Sequence, residues 1–249
     1  MGKLKDILKD VFQVFLVILI LCATWLSYTP TKVKYLSEIS ASDTAINSND
    51  LREIVGTSTY VFIGYVEETH DYNSKKYFRH YPKIIDYNGM PYTECKLRVV
   101  ESIKGGLVDD TTFSIYKFGG VVWSRTCVLM DDDDMLPEKG KYYLFAGNCY
   151  ADGTMIVGGK NKTALLEDGI NETNYENSTV YKKYIEACKN QITKNATPPY
   201  YLCGADANYG DGTHNAEIYE EYNKQKVAKG GSIDKKFHKA LKDGNPKIK

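Results

Sequence analysis

The sequence lacks the short motifs that mark the common hydrolase, redox and zinc sites. It contains no H-E-x-x-H, no H-x-K-x-x-x-x-D, no G-x-S-x-G and no C-x-x-C. These motifs are typical of zinc hydrolases, phospholipase D-type enzymes, serine hydrolases and zinc knuckles. The chain therefore lacks the catalytic or metal-binding residues of those classes. The four histidines are scattered singly, and we expect them on the surface. The sequence therefore identifies no catalytic residue and no cofactor.

An excess of charge of one sign is also missing. Lys and Arg together number 32, as do Asp and Glu, so the formal net charge is +0. The body is mildly acidic and the C-terminal part is basic, which does not make the strong basic face of a nucleic-acid binder. We therefore expect no nucleic acid partner. Tyrosine is abundant instead, with 21 Tyr against 8 Phe and 2 Trp, and it suits half-wet surfaces and sheet faces.

The longest apolar run covers residues 11–28 and contains no charged residue. At about 1.5 Å per residue, a helix of this length spans close to one hydrocarbon core. Lys3, Lys5 and Lys9 precede the run, and the next basic residue is Lys32. The positive-inside rule then predicts a cytoplasmic N-terminus (1–10), a transmembrane signal-anchor and an exported remainder. We predict a single-pass protein of the cell membrane whose C-terminal domain is extracytoplasmic.

Two other fates of this segment stay open. A cleaved signal peptide would leave the chain secreted, although no good pair of small residues marks a cleavage site. Cys22 suggests a lipoprotein anchor, but Leu21 stands where a small residue is needed.

The rest of the chain divides by composition. A helix is predicted over 178–194, with Ser178 as its cap, and a charged helix over 216–229. We expect the residues beyond Gly230-Gly231 to be loosely ordered and dispensable for folding, because their lysines repel one another. The predicted parts are a polar stalk (29–48), a β-barrel with a short leading helix (49–167), a helical and loop extension (168–229) and a Lys-rich tail (230–249).

Short strands dominate the part from residue 49 to residue 167. The stretch 93–99 alternates strictly, with Cys95 and Leu97 on one face and charged residues on the other. Turn segments rich in Gly and Asp separate the strands, among them 151–154, which predicts a hairpin. Several short strands without alternating helices predict an all-β barrel or sandwich.

The order of these pieces resembles the OB-fold barrel shared by netrin modules and tissue inhibitors of metalloproteinases, in its bacterial cell-surface form. The resemblance covers about residues 50–167 and implies a five- to six-stranded barrel with flanking helices. It implies nothing about function, because OB barrels host many activities. The matching segments are TYVFIGYVEE (59–68), YTECKLRVVESIKGG (92–106), TTFSIYKFGG (111–120), KGKYYLFAG (139–147) and DGTMIVGG (152–159).

One departure limits what this resemblance carries. Animal metalloproteinase inhibitors insert an N-terminal cysteine into the protease, whereas no cysteine occurs here between Cys22 and Cys95. Protease inhibition by that mechanism is therefore not expected.

Five cysteines follow the apolar run, enough for two disulfides and one free thiol. The pairing that we favour is Cys127–Cys149, between strand regions, and Cys188–Cys203, between a helix and a Pro-rich loop. The alternative is that all of them are reduced, buried and small apolar residues.

Two acidic segments raise the question of calcium. Asp206, Asn208 and Asp211 precede Glu217 at spacings that echo an EF-hand loop, but the required Gly stands one place late. The run 131–134 offers four carboxylates, and a solvated loop explains it equally well. The sequence gives these residues only as weak metal candidates.

Two function classes follow from these observations. The first is a non-enzymatic module, anchored in a membrane, that binds a cell-wall polymer or a surface protein through barrel loops and a Tyr-rich face. The second is an envelope-directed hydrolase with a carboxylate site that the sequence does not single out. The absence of a catalytic constellation favours the binding module.

Overall fold

In the computed structural model of the chain, the described residues are 2–27, 33–36, 46–71, 91–121, 127–193 and 200–249. Among them lie five α-helices: α1 Gly2–Ser27, α2 Leu51–Thr57, α3 Thr179–Lys189, α4 Thr213–Ala228 and α5 Lys235–Gly244. The strands among them are β1 Val33–Leu36, β2 Tyr60–Asp71, β3 Tyr92–Lys104, β4 Thr112–Phe118, β5 Gly120–Val121, β6 Val128–Asp131, β7 Tyr142–Cys149, β8 Met155–Val157 and β9 Thr163–Leu165.

Five of the strands close into a barrel. The order is β2-β3-β4-β8-β7, and β7 pairs back to β2 in antiparallel register, with Tyr60 opposite Gly147. The β4–β8 pair is parallel and the other pairs in the ring are antiparallel. The sixth strand, β9, extends the sheet beyond β7. The predicted mainly-β fold is confirmed, and the closed mixed barrel is consistent with an OB-like barrel.

Strand patterns explain which faces are buried. In β3, Cys95 and Leu97 are fully buried inside the barrel while Lys96 between them is exposed, as the alternation predicts. The apolar run of β2 has no such alternation because both of its faces are covered. Phe62 joins the barrel interior, whereas Val61 and Ile63 pack against α2 and α3 on the outside.

Helices α2 and α3 cover this outer face. Asp50 caps α2, and its carboxylate accepts a hydrogen bond from the Arg52 amide. Ser178 caps α3 as predicted. Gly56 permits α2 to lie close to the chain just after α3, because a Cβ at position 56 would lie 2.1 Å from the carbonyl oxygen of Ile192.

The segment predicted as a stalk contains a strand. Strand β1 pairs in parallel with β6, and β6 pairs with β5, which makes a three-stranded sheet beside the barrel. Residues 29–32 and 37–45 of the predicted stalk lie outside the described residues.

Helix α1 contains nearly all of the predicted transmembrane segment. Within the part of the chain that the structure describes, no helix is both long and apolar enough to cross a membrane. The predicted span over 11–28 is therefore not supported, and its last residue, Tyr28, lies outside the described residues.

The C-terminal part is ordered, contrary to the expectation of a loose tail. Helix α5 begins at a cap in which the Asp234 carboxylate accepts hydrogen bonds from two backbone amides. Ala240, Leu241 and Ile248 are buried and belong to the same apolar cluster as the barrel interior. The lysines of the segment stay on the outside, so their repulsion does not prevent the apolar side from docking.

Candidate functional site

A cavity of about 370 Å³ lies between the barrel and the C-terminal helices. Its barrel wall comes from the residues before β2, the end of β7 and the region of β8, including Asn148, Tyr150 and Ile156. The opposite wall comes from the loop before α4 and from α4 and α5. That second wall consists of Tyr200, Tyr201, Tyr219, Tyr222, Phe237 and Leu241.

Asn148 fixes the barrel wall. Its side-chain oxygen accepts hydrogen bonds from the Thr59 amide at 2.7 Å and the Thr59 hydroxyl at 3.0 Å. Its side-chain nitrogen donates to the Thr57 carbonyl at 3.1 Å. The entry into β2 is thereby held against the end of β7, and the amide is satisfied within the wall.

Six aromatic rings from the described part of the chain line the cavity. Tyr219 and Tyr222 share one face of α4, because they are three residues apart on a helix. Tyr219 is buried, while Tyr200 and Tyr222 are 44% and 43% exposed and stand at the mouth. The rings of Tyr150 and Phe237 meet edge to face with centroids 5.8 Å apart, which joins the barrel wall to α5.

Lys162 is the only charged residue that lines this cavity among the described residues. Burial lowers the pKa of its ammonium, the positive charge of Lys117 lowers it further, and the negative charges of Asp134 and Asp131 oppose the shift. Within the described part of the chain, no hydrogen bond or ion pair is found for its side chain. The cavity thus combines aromatic walls with one cation that no direct ion pair holds among the described residues.

A buried ion pair lies close to this cation. Lys117 of β4 contacts Asp134, and the side chains are 0% and 1% exposed. The Asp134 carboxylate also accepts a hydrogen bond from the Gly159 amide at 3.0 Å. Burial lowers the pKa of Lys117, and Asp134 opposes that shift. Asp134 therefore forms its direct ion pair with Lys117, and its charge also acts on Lys162; it belongs to the acidic run that was expected to be a solvated loop or a calcium site.

The predicted calcium-loop residues are engaged in other contacts. Asp206 accepts hydrogen bonds from the Tyr60 hydroxyl and from the Asn208 amide, and Asp211 forms an ion pair with Lys247 at 2.9 Å. Glu217 lies on α4 and is exposed. Among the residues that the structure describes, no group of three or more His, Cys, Asp or Glu is placed to hold a metal ion.

The cysteines are all free thiols, so neither predicted disulfide is present. The reason lies in the packing. Cys188 on α3 packs against the outer apolar cluster, whereas Cys203 belongs to the inner cluster with Cys149. Cys127 lies just before β6, which belongs to the three-stranded sheet beside the barrel. The structure instead brings Cys149 beside Cys203.

Sequence reasoning missed the cavity. The excess of tyrosine was the only signal, and it does not show which rings meet. Tyr200 and Tyr201 come from a loop, Tyr219 and Tyr222 from a helix that was expected to be merely charged, and Phe237 from the expected tail. Their assembly depends on packing between segments distant in sequence.

Comparisons with known proteins add no assignment. No protein-family model matches the chain, and no curated protein matches it.

Proposed function

We propose that this protein is a binding module whose ligand site is the cavity between the barrel and the C-terminal helices. The observation that carries the proposal is the enclosure by aromatic walls of one cation, Lys162, for which no direct ion pair or hydrogen bond is found among the described residues. A volume of about 370 Å³ lies in the range of small-ligand sites. The lining residues among the described part of the chain include no carboxylate, so the cavity does not offer the carboxylate site of an envelope-directed hydrolase.

The ligand that fits this cavity is an apolar or aromatic group with one negative charge. Rings of Tyr and Phe supply apolar area, and the ammonium of Lys162 supplies a charge-assisted hydrogen bond. Tyr200 and Tyr222 at the mouth leave it open to water. A unit of a larger molecule, such as an anionic wall polymer or a surface protein, can therefore enter while the rest stays outside.

Three probes of one shape and different charge test this chemistry: phenylpropionate, phenylpropanol and phenylpropylamine. We expect the anion to bind about tenfold more tightly than the alcohol, and the amine to bind least. Lys162→Met should abolish the preference for the anion, because it removes the charge and keeps the length of the side chain. The matched control is Lys160→Met, since Lys160 lies two residues away and pairs with Asp133 at 2.6 Å.

Titration calorimetry on the three probes decides the matter. A preference for the anion that survives in Lys162→Met contradicts the role of this cation. Absence of binding by all three probes contradicts the site.

The preference for the anion should also depend on pH. Because the pKa of Lys162 is lowered from the usual 10.5 of lysine, its ammonium loses its proton at a lower pH than an exposed lysine does. Binding of phenylpropionate should therefore weaken as pH rises through that pKa, while binding of phenylpropanol stays constant below the pH at which tyrosines ionise. Calorimetry across this range checks the result, and parallel curves for the two probes would contradict it.

We further propose that α1 holds the protein at a membrane, with the barrel on the outer side. The support is that the apolar side chains of α1 are exposed in the structure, Phe15, Leu16 and Ile18 among them. A continuous apolar surface of this kind associates with lipid or protein. Lys3, Lys5 and Lys9 favour a cytoplasmic start of the chain.

External protease on intact cells tests this location. A tag at the C-terminus should be removed from the wild-type chain. In the double variant Leu16→Lys/Ile18→Lys, the tag should be protected because the helix no longer enters the bilayer. Protection of the wild-type tag would contradict the outer location.

A further inference from the structure

Two thiols meet beneath the aromatic cavity. Cys149 is the last residue of β7, and Cys203 lies in the loop before α4. Both are buried, with exposures of 7% and 1%, and both belong to the inner apolar cluster. The two side chains lie close enough together for each thiol to shift the pKa of the other.

The backbone around the two thiols is held in place by other contacts. The Gly204 amide donates to the Gly153 carbonyl at 3.0 Å, which ties the loop to the turn after β7. The Cys203 amide donates to the Tyr60 hydroxyl at 2.8 Å, and that hydroxyl donates to Asp206 at 2.7 Å. The juxtaposition of the thiols therefore does not depend on a covalent bond between them.

We propose that Cys149 and Cys203 are a disulfide pair, which fastens the C-terminal helices to the barrel when the protein is oxidised. The bond joins the two walls of the cavity, because Cys149 lines the barrel wall and Cys203 follows two residues after Tyr201. The disulfide would keep the second wall of the cavity from moving away from the barrel wall. The proposal concerns the covalent state of the site and does not require a particular ligand.

The reaction needs a disulfide-bearing oxidant, RS–SR. The thiolate of one cysteine of the pair attacks it, forming a mixed disulfide with R and releasing one RS⁻. The other cysteine then loses its thiol proton, and its sulfur attacks the first cysteine's sulfur, forming Cys149–Cys203 and releasing a second RS⁻. The two cysteines lose two electrons and two protons, and RS–SR becomes two thiols.

The thiolate is the attacking form, so the first step requires one of the two thiols to lose its proton. Because both sulfurs are buried in the finished fold, we expect the bond to form during folding, before the C-terminal helices dock.

The test uses the full chain in detergent, refolded in a buffer of oxidised and reduced glutathione. Free thiols are alkylated after unfolding, and the peptides are mapped by mass spectrometry without reduction. We expect a peptide that joins Cys149 to Cys203, with Cys95, Cys127 and Cys188 alkylated. A joined peptide with a different pair, or alkylation of both Cys149 and Cys203, would overturn the proposal.

Thermal unfolding provides the second measurement. The oxidised wild-type chain should melt about 5–15 °C above its reduced form. Cys149→Ser and Cys203→Ser should each lose this difference, while Cys188→Ser, the matched control outside the pair, should keep it. If a serine variant fails to fold, the peptide map of the wild-type chain still decides. Equal melting of the oxidised and reduced wild-type chains with the bond present would overturn the fastening role.

Discussion

The barrel and the C-terminal layer, residues 200–249, bury apolar side chains equally well but encode that burial differently. In β3 the alternation of apolar and charged residues indicates which face of the strand points into the barrel. In the C-terminal layer, Leu241 and Ile248 are each 1% exposed, although lysines surround them in sequence. A strand pattern is visible locally, whereas docking of a short helix depends on a surface supplied by another part of the chain.

Deletion of residues 230–249 is the strongest way to break this comparison. If the layer is core, its loss removes the burial of Leu241 and Ile248, and each such side chain is worth about 2–5 kcal/mol. We expect the free energy of unfolding to fall by about 5 kcal/mol or more and the melting temperature by about 10–20 °C. Thermal unfolding measured by circular dichroism checks this. A change of only a few degrees would show that residues 230–249 are dispensable for folding, as the sequence predicted.

Asp134→Asn tests the charged pair that the barrel side buries, Lys117 with Asp134. The substitution leaves the Lys117 ammonium buried and facing an amide, which costs about 3–5 kcal/mol. Asp133→Asn is the matched control, since its pair with Lys160 is partly exposed and worth about 1 kcal/mol or less. Urea unfolding of the two variants measures the difference, and equal losses would contradict the buried pair.

The same variant has a defined pH dependence. The pKa of Lys117 is already lowered by burial, and loss of the Asp134 charge lowers it further. The unfolded chain then binds more protons than the folded chain at alkaline pH, so the stability of Asp134→Asn should rise with pH relative to the wild type. A flat difference between the two stability curves would contradict this assignment.

Asn245→Ala should lower the free energy of unfolding least among these variants, controls aside, and it tests the contact between the barrel and the C-terminal layer. The Asn245 side-chain nitrogen donates to the Ala151 carbonyl at 3.1 Å and to the Gly212 carbonyl at 2.8 Å, so it joins the barrel turn to the layer. Its removal leaves two buried carbonyls without this donor and should cost about 1–3 kcal/mol. Asn190→Ala, at an exposed C-terminal cap, is the control and should cost less in the same unfolding assay.

Local sequence predicts much of the barrel, and the reason is physical. Strands β3, β7 and β8 and the helices α3 and α4 follow from periodicity, turn residues and the Ser178 cap, all of which act between near neighbours. The family resemblance stays a prediction.

The site could not be predicted in the same way. Four consecutive aspartates, 131–134, look alike in sequence, yet only Asp134 is committed to the buried Lys117. The six rings of the cavity and the Cys149–Cys203 pair come from segments distant in sequence, and nothing in their own neighbourhoods indicates what they meet.

The pairing of β2 with β7 has a kinetic consequence. Tyr60 finds Gly147 only after a long stretch of chain has been brought together, so loop-closure entropy precedes the stabilising contacts. Folding of this barrel is therefore expected in milliseconds to seconds rather than microseconds. Until the ring closes, β2 and β7 present unpaired edges. At high protein concentration those edges pair with strands of other molecules, which leads to aggregation.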